Sequence, residues 1–283
     1  DEVLYPNPGY PIYESQINYQ GGVALPYRYN QTENGFDIDL DYLAKSISEK
    51  TKVLILNNYQ NPMSASSSKE ELKALSKLVL KHDLWVLSDD AYYEIRYSKD
   101  SPNSILNFPG MKQKTVILYT FSKKYAMTGW RIGASIGPES LIKHMARFNI
   151  NDESCTNHFI QHALASVLND SNDLGEEIIK KLIKRRNLCL KKLNSIGDLG
   201  ISTPESTFYL FPNVSKVMRK KGYDNLEKFR VDALKNTGVS FCTREHFGTP
   251  FSNEKEQYIR FAYSGITRKD ISEGLDKFIN WIN

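Results

Sequence analysis

Short, wholly apolar runs punctuate this 283-residue chain. Val53–Leu56 reads VLIL, Leu84–Leu87 reads LWVL and Thr115–Tyr119 reads TVILY. Runs without polar alternation mark strands buried on both faces. A fourth strand is expected at Ile132–Ile136. Between the first two runs the spacing changes. Leu72, Leu75, Leu78 and Val79 share one helical face, which ends near His82. Ser67 and Ser68, with Glu70 and Glu71 three residues on, have capping-box spacing at its start. Asp1–Tyr10 reads DEVLYPNPGY, and three prolines among the first eleven residues predict a structured turn or loop there. Strand, helix, strand, connection, strand is the order of a parallel sheet with helices packed on it.

Beyond this the pattern shifts. A long charged amphipathic helix is expected over about Asp173–Asn194. Thr207–Phe211, Val239–Cys242 and Tyr258–Tyr263 read as strands. A helix from about Asp224 to Gly238 lies between the first two, and Thr267–Ile282 closes the chain as another. The expected organisation is a large α/β domain over residues 1–172, a connecting helix over 173–194 and a smaller α+β domain over 195–283. The length favours this over a single core.

Composition narrows the class only slightly. Apolar residues at 40% and charged residues at 25% are ordinary for a globular protein. The net charge of +4 is too mild to point to nucleic acid, and no window is apolar enough to span a bilayer. Cys155, Cys189 and Cys242 form no CxxC pair, which disfavours zinc or a disulfide framework and fits a reducing, cytoplasmic setting. A chain that opens on Asp1 suggests a processed or incomplete protein.

Candidate chemistry gathers where strands end. Open α/β sheets bind ligands beyond the carboxyl ends of their strands. Asn61-Pro62 follows the first strand, Asp89, Asp90 and Tyr92 the second, and Thr120-Phe121-Ser122-Lys123 the third. In a parallel sheet these converge on one edge, with Lys123 as a potential nucleophile. Farther on, Arg260 stands in the otherwise apolar strand Tyr-Ile-Arg-Phe-Ala-Tyr, where it needs an anionic partner.

These residues resemble a known family. "SDDAYYEIRY" followed by "YTFSKKYAMTGWRIGASIGP" looks like the core of the class I/II aminotransferases, the fold type I pyridoxal 5'-phosphate enzymes. "PNPGYPIYE", "NNYQNP", "STFYLFP" and "YIRFAYS" resemble the same family in the same order, so the likeness spans nearly the whole chain. It implies a mostly parallel sheet with helices on both faces, plus a smaller α+β domain. It implies transfer of an amino group between an α-amino acid and a 2-oxo acid, in a homodimer, through a Schiff base on Lys123, with Lys124 pointing elsewhere. By the same resemblance Asp89 faces the cofactor's pyridine nitrogen, and Tyr92 and Asn61 donate to its phenolic oxygen. Arg131, Thr120 and Ser122 hold its phosphate, Tyr10 lies on the ring face opposite Lys123, and Arg260 clamps the substrate carboxylate. Asn61-Pro62 is expected to be a cis peptide. Asn151–Ala163 is expected near a neighbouring subunit's site.

Two departures stand out. The family's Thr-Gly after Asn-Pro is Met63-Ser64 here, and the Gly- and Ser/Thr-bearing phosphate loop that precedes "NPGYP" in the family does not appear. Weak cofactor binding is the expectation for the chain in this form. The substrate is open between aspartate, an aromatic amino acid and a diamino dicarboxylic acid. Arg28, Arg96 and Arg244 are candidates for a side-chain carboxylate, and Tyr13, Tyr59, Phe208 and Tyr209 for an aromatic pocket. The alternatives are a lyase or synthase on the same fold, or a non-catalytic domain that binds the cofactor. A dehydrogenase is disfavoured because Gly129, Gly133 and Gly137 have the wrong spacing for a dinucleotide fingerprint.

Overall fold

A computed structural model describes residues 1–33, 35–98, 100, 103–170 and 174–283. The first part of the chain forms β1 (Glu2–Pro6), α1 (Ile12–Tyr19), β2 (Val23–Tyr27), the short pair β3 (Tyr29–Gln31) and β4 (Phe36–Ile38), and α2 (Leu40–Ser46). Next come β5 (Thr51–Leu56), α3 (Lys69–Lys81), β6 (Trp85–Asp89), β7 (Thr115–Thr120), α4 (Phe121–Lys124) and β8 (Gly133–Ile136). Helices α5 (Glu139–Asp152), α6 (His158–Leu168) and α7 (Glu176–Leu193) follow. The chain ends with β9 (Tyr209–Leu210), α8 (Ser215–Lys220), α9 (Leu226–Thr237), β10 (Cys242–Thr243), β11 (Ile259–Ala262) and α10 (Arg268–Ile282).

Six strands form the central sheet in the order β2-β1-β5-β6-β7-β8. All neighbours are parallel except β7 and β8, which are antiparallel. The apolar runs alternate between two cores. Leu54, Leu56 and Val86 pack with Leu72, Leu75 and Val79 of α3, while Val53, Ile55 and Leu87 pack with Tyr13 and Ile17 of α1. That is why these strands carry no polar alternation: both faces are covered. A second sheet, β10-β11-β9, is antiparallel and sits in a separate cluster with Leu182, Leu193, Phe229 and Phe278.

The opening segment departs from expectation. Glu2–Pro6 is not a loop but an inner strand between β2 and β5, with Leu4 fully buried. Pro6 is its last residue and Pro8 lies past it, so neither interrupts the ladder. Gly9 then turns the chain into α1, and a Cβ there would lie 2.0 Å from the Pro6 carbonyl oxygen. At the start of α3 the Ser68 hydroxyl accepts from Glu71 N, as expected. The Glu71 Oε1 also accepts from Ile38 N at 2.5 Å and ties α3 to β4. The β10 strand lies later than expected, at Cys242–Thr243. Helix α9 ends as predicted at Gly238, whose φ of 73° serves the left-handed cap. The expected helix start at Asp173 and the boundary at residue 172 lie outside the described residues.

Candidate active site

The three polar strand ends do converge. Strand β6 delivers Asp89 at its last position, and the turn after it brings Tyr92 back over the sheet edge. Strand β7 runs into α4, where the Thr120 hydroxyl accepts from Ser122 N at 3.2 Å and so fixes the turn that presents Lys123. Lys123 is half-buried, with Nζ 5.8 Å from the Tyr92 ring centroid. Desolvation, together with the Arg131 and Arg260 guanidinium groups, holds its ammonium below the usual lysine range, while Asp89 pulls the other way. Lys124 turns aside to Glu94, 3.8 Å away.

Asp89 keeps part of its surface open to the cleft, yet burial pushes its carboxyl up. Hydrogen bonds from Tyr13 and from Ala91 N, and the charge of Lys123, act against that shift. The Tyr13 hydroxyl donates to Asp89 Oδ2 at 2.5 Å, and Ala91 N donates to Oδ1 at 3.1 Å. The Tyr92 and Tyr209 hydroxyls are 2.6 Å apart. Burial and the Tyr209 hydroxyl push Tyr92 far up, so it stays a protonated donor. Tyr10 is well exposed and meets the Tyr13 ring edge-on at 5.8 Å.

Arg260 arrives from β11. Its Nη1 donates to Asn61 Oδ1 at 2.7 Å and its Nη2 lies 3.7 Å from Cys242 Sγ. The guanidinium is sandwiched between the Tyr209 ring at 4.2 Å and the Phe247 ring at 4.7 Å. Its Nε is buried without a hydrogen-bond partner. A cation held by an amide, a thiol and two rings is short of an anion. The Asn61–Pro62 peptide is cis, as expected, and so is Asn7–Pro8. Arg131 is exposed at the entry to β8 in a left-handed conformation, with Nη1 on the Thr128 carbonyl at 2.9 Å.

The other arginines are committed elsewhere. Arg28 pairs with Asp39 at 2.8 Å, and Arg96 donates to the carbonyls of Tyr93 and Asp100. Arg244 is 2% exposed and makes two bonds to Glu254, at 2.6 and 2.9 Å. None is set to take a substrate carboxylate. Tyr59 is buried in the second core, whereas Phe208 and Lys123 line one cavity of about 400 Å³ with Ser122, Lys181 and Arg185. A 450 Å³ cavity is lined by Arg28, Arg244 and Tyr258, and by none of the residues expected to hold the cofactor.

Sequence reasoning named Tyr13 and Tyr209 only as candidates for an aromatic pocket, whereas here their hydroxyls bond Asp89 and Tyr92, and it missed the Phe247 ring under Arg260. As a donor set, the cleft fits pyridoxal phosphate. It offers an amine for the aldehyde, a carboxylate open to the cleft for the ring nitrogen, and tyrosine and asparagine donors for the phenolic oxygen. Arg131 with the Thr120 and Ser122 hydroxyls suits the phosphate.

A family model described as "Aminotransferase class I and II" matches residues 1–278. Among curated proteins, an asparagine–oxo-acid transaminase of Streptococcus mutans is 31% identical over 99% of this chain and 70% of its own length. An aspartate aminotransferase of Pyrococcus abyssi is 32% identical over 98% of this chain and 69% of its own. The crystal structure of an aromatic aminotransferase from Pyrococcus horikoshii superposes with a TM-score of 0.90 at 31% identity, over the whole of this chain and 73% of that one.

Proposed function

The chain belongs to the class I and II aminotransferase family and is a pyridoxal phosphate-dependent aminotransferase, and we propose that its chemistry runs through Lys123, Asp89, Tyr92, Asn61 and Arg260. The observation that carries this assignment is the meeting of an amine, a carboxylate and an under-neutralised arginine around one cleft.

When bound, pyridoxal phosphate supplies an electron sink for charge that develops at the substrate α-carbon. The residues do the rest. Arg260 grips the substrate carboxylate, an anion that supplies what its orphaned Nε lacks. Asn61 steadies that guanidinium through its Oδ1 and keeps its amide N–H₂ to donate. Lys123 moves a proton at the α-carbon, helped by an environment that disfavours its charged form. Asp89 would keep a proton on the ring nitrogen, Tyr92 would donate to the phenolic oxygen, and Arg131 with Thr120 and Ser122 would bind the phosphate. Tyr10 would cover the cofactor ring on the side away from Lys123.

The substrates in this reading are an α-amino acid and a 2-oxo acid. The three relatives reported above are named as an asparagine–oxo-acid transaminase, an aspartate aminotransferase and an aromatic aminotransferase. Because Arg28, Arg96 and Arg244 are all engaged, a neutral or aromatic side chain suits this chain better than a second carboxylate. The proposal extends to a homodimer. Helix α5 buries none of its residues, and Phe148 and Phe159 are 77% and 68% exposed on α5 and α6. That apolar face, beside Asn151–Ala163, suits a second copy. A cytoplasmic setting suits the three free thiols. Among the described residues no helix is long and apolar enough to cross a membrane. The proposed division is at residues 1–172, 173–194 and 195–283; α7 packs in the C-terminal cluster, which also takes in Tyr59, Tyr92 and Ile95 of the first segment.

The test is borohydride reduction of the cofactor-loaded chain followed by peptide mapping. The expected result is a pyridoxyl group on Lys123 alone and its loss in Lys123→Ala, with 2-oxo acid as the product of turnover. Label on Lys124 or elsewhere overturns the lysine assignment, and release of ammonia with pyruvate would favour the lyase alternative.

A further inference from the structure

Helix α6 opens with a spacing that the amino-group chemistry does not use. His158-Phe159-Ile160-Gln161-His162 places two histidines four residues apart. Positions i and i+4 share one face of a helix. Ile160 and Leu164 are the residues that α6 buries, and at 3.6 residues per turn they sit about half a turn away from the histidine pair. His158 and His162 are accordingly exposed. Phe159, on the face proposed for a second copy, is about a quarter turn round from them. The two imidazole rings meet edge-on with centroids 4.5 Å apart, and their Nε2 atoms are 3.2 Å from each other.

We propose that these two nitrogens are a chelating pair for a divalent transition-metal ion. The separation is the one a shared ion needs. Nitrogens 3.2 Å apart, each about 2.05 Å from a common centre, subtend roughly 100° there, between the octahedral and the tetrahedral angle. Without an ion, one Nε2 donates and the other accepts, so a proton stands between them. The ion takes that place. The displaced proton returns, through water, to Nδ1 of the same ring, so both imidazoles stay neutral and both Nε2 lone pairs point at the metal.

The donors set the class of ion. Imidazole suits zinc, copper and nickel, whereas magnesium and calcium take oxygen. Among the described residues no group of three or more His, Cys, Asp or Glu side chains could hold a metal, so water fills the remaining positions and the ion exchanges readily. The pair also has a structural use. Asn157, the cap of α6, makes no side-chain bond to the first turn, and that turn carries no acidic residue. An ion bridging His158 to His162 clamps the turn from outside, where it displaces no packed side chain.

The test titrates the cofactor-loaded chain, freed of excess cofactor and substrate, with metal ions. Nitrogen-15 resonances of the histidine rings report each residue separately. Zn²⁺ should shift Nε2 of His158 and His162 together and leave His82, His144 and His246 in place, and Mg²⁺ should move none of them. Calorimetry should give one ion per chain, with Ni²⁺ held more tightly than Co²⁺. His162→Gln should weaken Ni²⁺ by about a hundredfold, the scale of losing one arm of a two-point attachment. His162→Gln with Ala163→His keeps the number of histidines but turns the second one off the shared face, so it should bind no better than His162→Gln alone. Both positions are exposed, so neither change disturbs the core. Equal Ni²⁺ affinity in the parent and the displaced-histidine variant overturns the proposal. Loss of the site in Cys155→Ser overturns it too, because the ion would then belong to the exposed thiol upstream.

Discussion

Arg244 directly follows β10 and Arg260 stands within its partner strand β11, and they are held in opposite ways. Arg244 is sealed from water and fully answered: two bonds to Glu254 and one to the Gly248 carbonyl at 3.1 Å. Arg260 is packed between two rings, touches an amide and a thiol, and keeps an unpartnered Nε. Both cost desolvation on folding, but only one receives its compensation inside the chain. An arginine that the fold supports by geometry and leaves short of an anion is waiting for one from outside. Solvent exposure alone would not have separated the two so clearly.

The sharpest way to break this contrast is Arg260→Met. It keeps much of the stacking with Tyr209 and Phe247 and removes the charge. Steady-state kinetics should show kcat/KM falling by roughly 10³, about 4 kcal/mol of transition-state binding. The melting temperature should hold or rise, because an uncompensated charge has gone. A large loss of stability would mean that Arg260 is structural like Arg244. The mirror experiment is Arg244→Met, which strands Glu254. Urea denaturation should report a loss of about 3 kcal/mol, and Arg244→Met with Glu254→Leu should recover much of it. The smallest effect tests a third kind of buried charge. Among the described residues Asp90 is answered by the Ser88 hydroxyl, at 2.8 Å, and burial pushes it up to about 6. A carboxyl raised in the fold contributes stability that is present below its unfolded value, near pH 4, and lost as pH rises through about 6. Asp90→Asn should therefore flatten the stability profile between those values and gain about 2 to 3 kcal/mol at pH 7. A profile that stays as steep would show that Asp90 is not the titrating group.

Much of this was readable in the sequence, for reasons that differ by element. The runs at β5, β6 and β7 were legible because parallel strands covered on both faces cannot alternate. Arg260 was legible because a charge in an apolar strand has few innocent explanations. Strand β1 was hidden by its prolines, which look like loop chemistry until one sees that they fall at and beyond the strand's last position. Arg96 turns to the nearby carbonyls of Tyr93 and Asp100. The fates of Arg28 and Arg244 could not be read, because each is decided by a carboxylate in a later segment that the fold brings near. The same holds for Tyr13. Nothing local to "YPIYE" announces a carboxylate at the end of β6. Met63-Ser64 is a milder case. Ser64 takes a left-handed φ of 59° that glycine accepts more readily, and its hydroxyl lies 2.5 Å from Thr207 Oγ1 and donates to the Tyr209 carbonyl at 3.0 Å. The departure is thus answered by bonds to the segment that carries Tyr209.

The Tyr92–Tyr209 pair has a consequence of its own. Two hydroxyls joined by one hydrogen bond own two protons but can offer only one of them outward. If Tyr209 points at Tyr92, Tyr92 is free to give its proton to a guest; if the bond runs the other way, Tyr92 has none to spare. A guest oxygen that accepts from Tyr92 therefore settles the orientation of both. Since the Tyr209 ring lies under the Arg260 guanidinium, the pair works as a two-setting pointer: occupancy at one end of the cleft is written, without any backbone movement, into the side chain on which the other end rests.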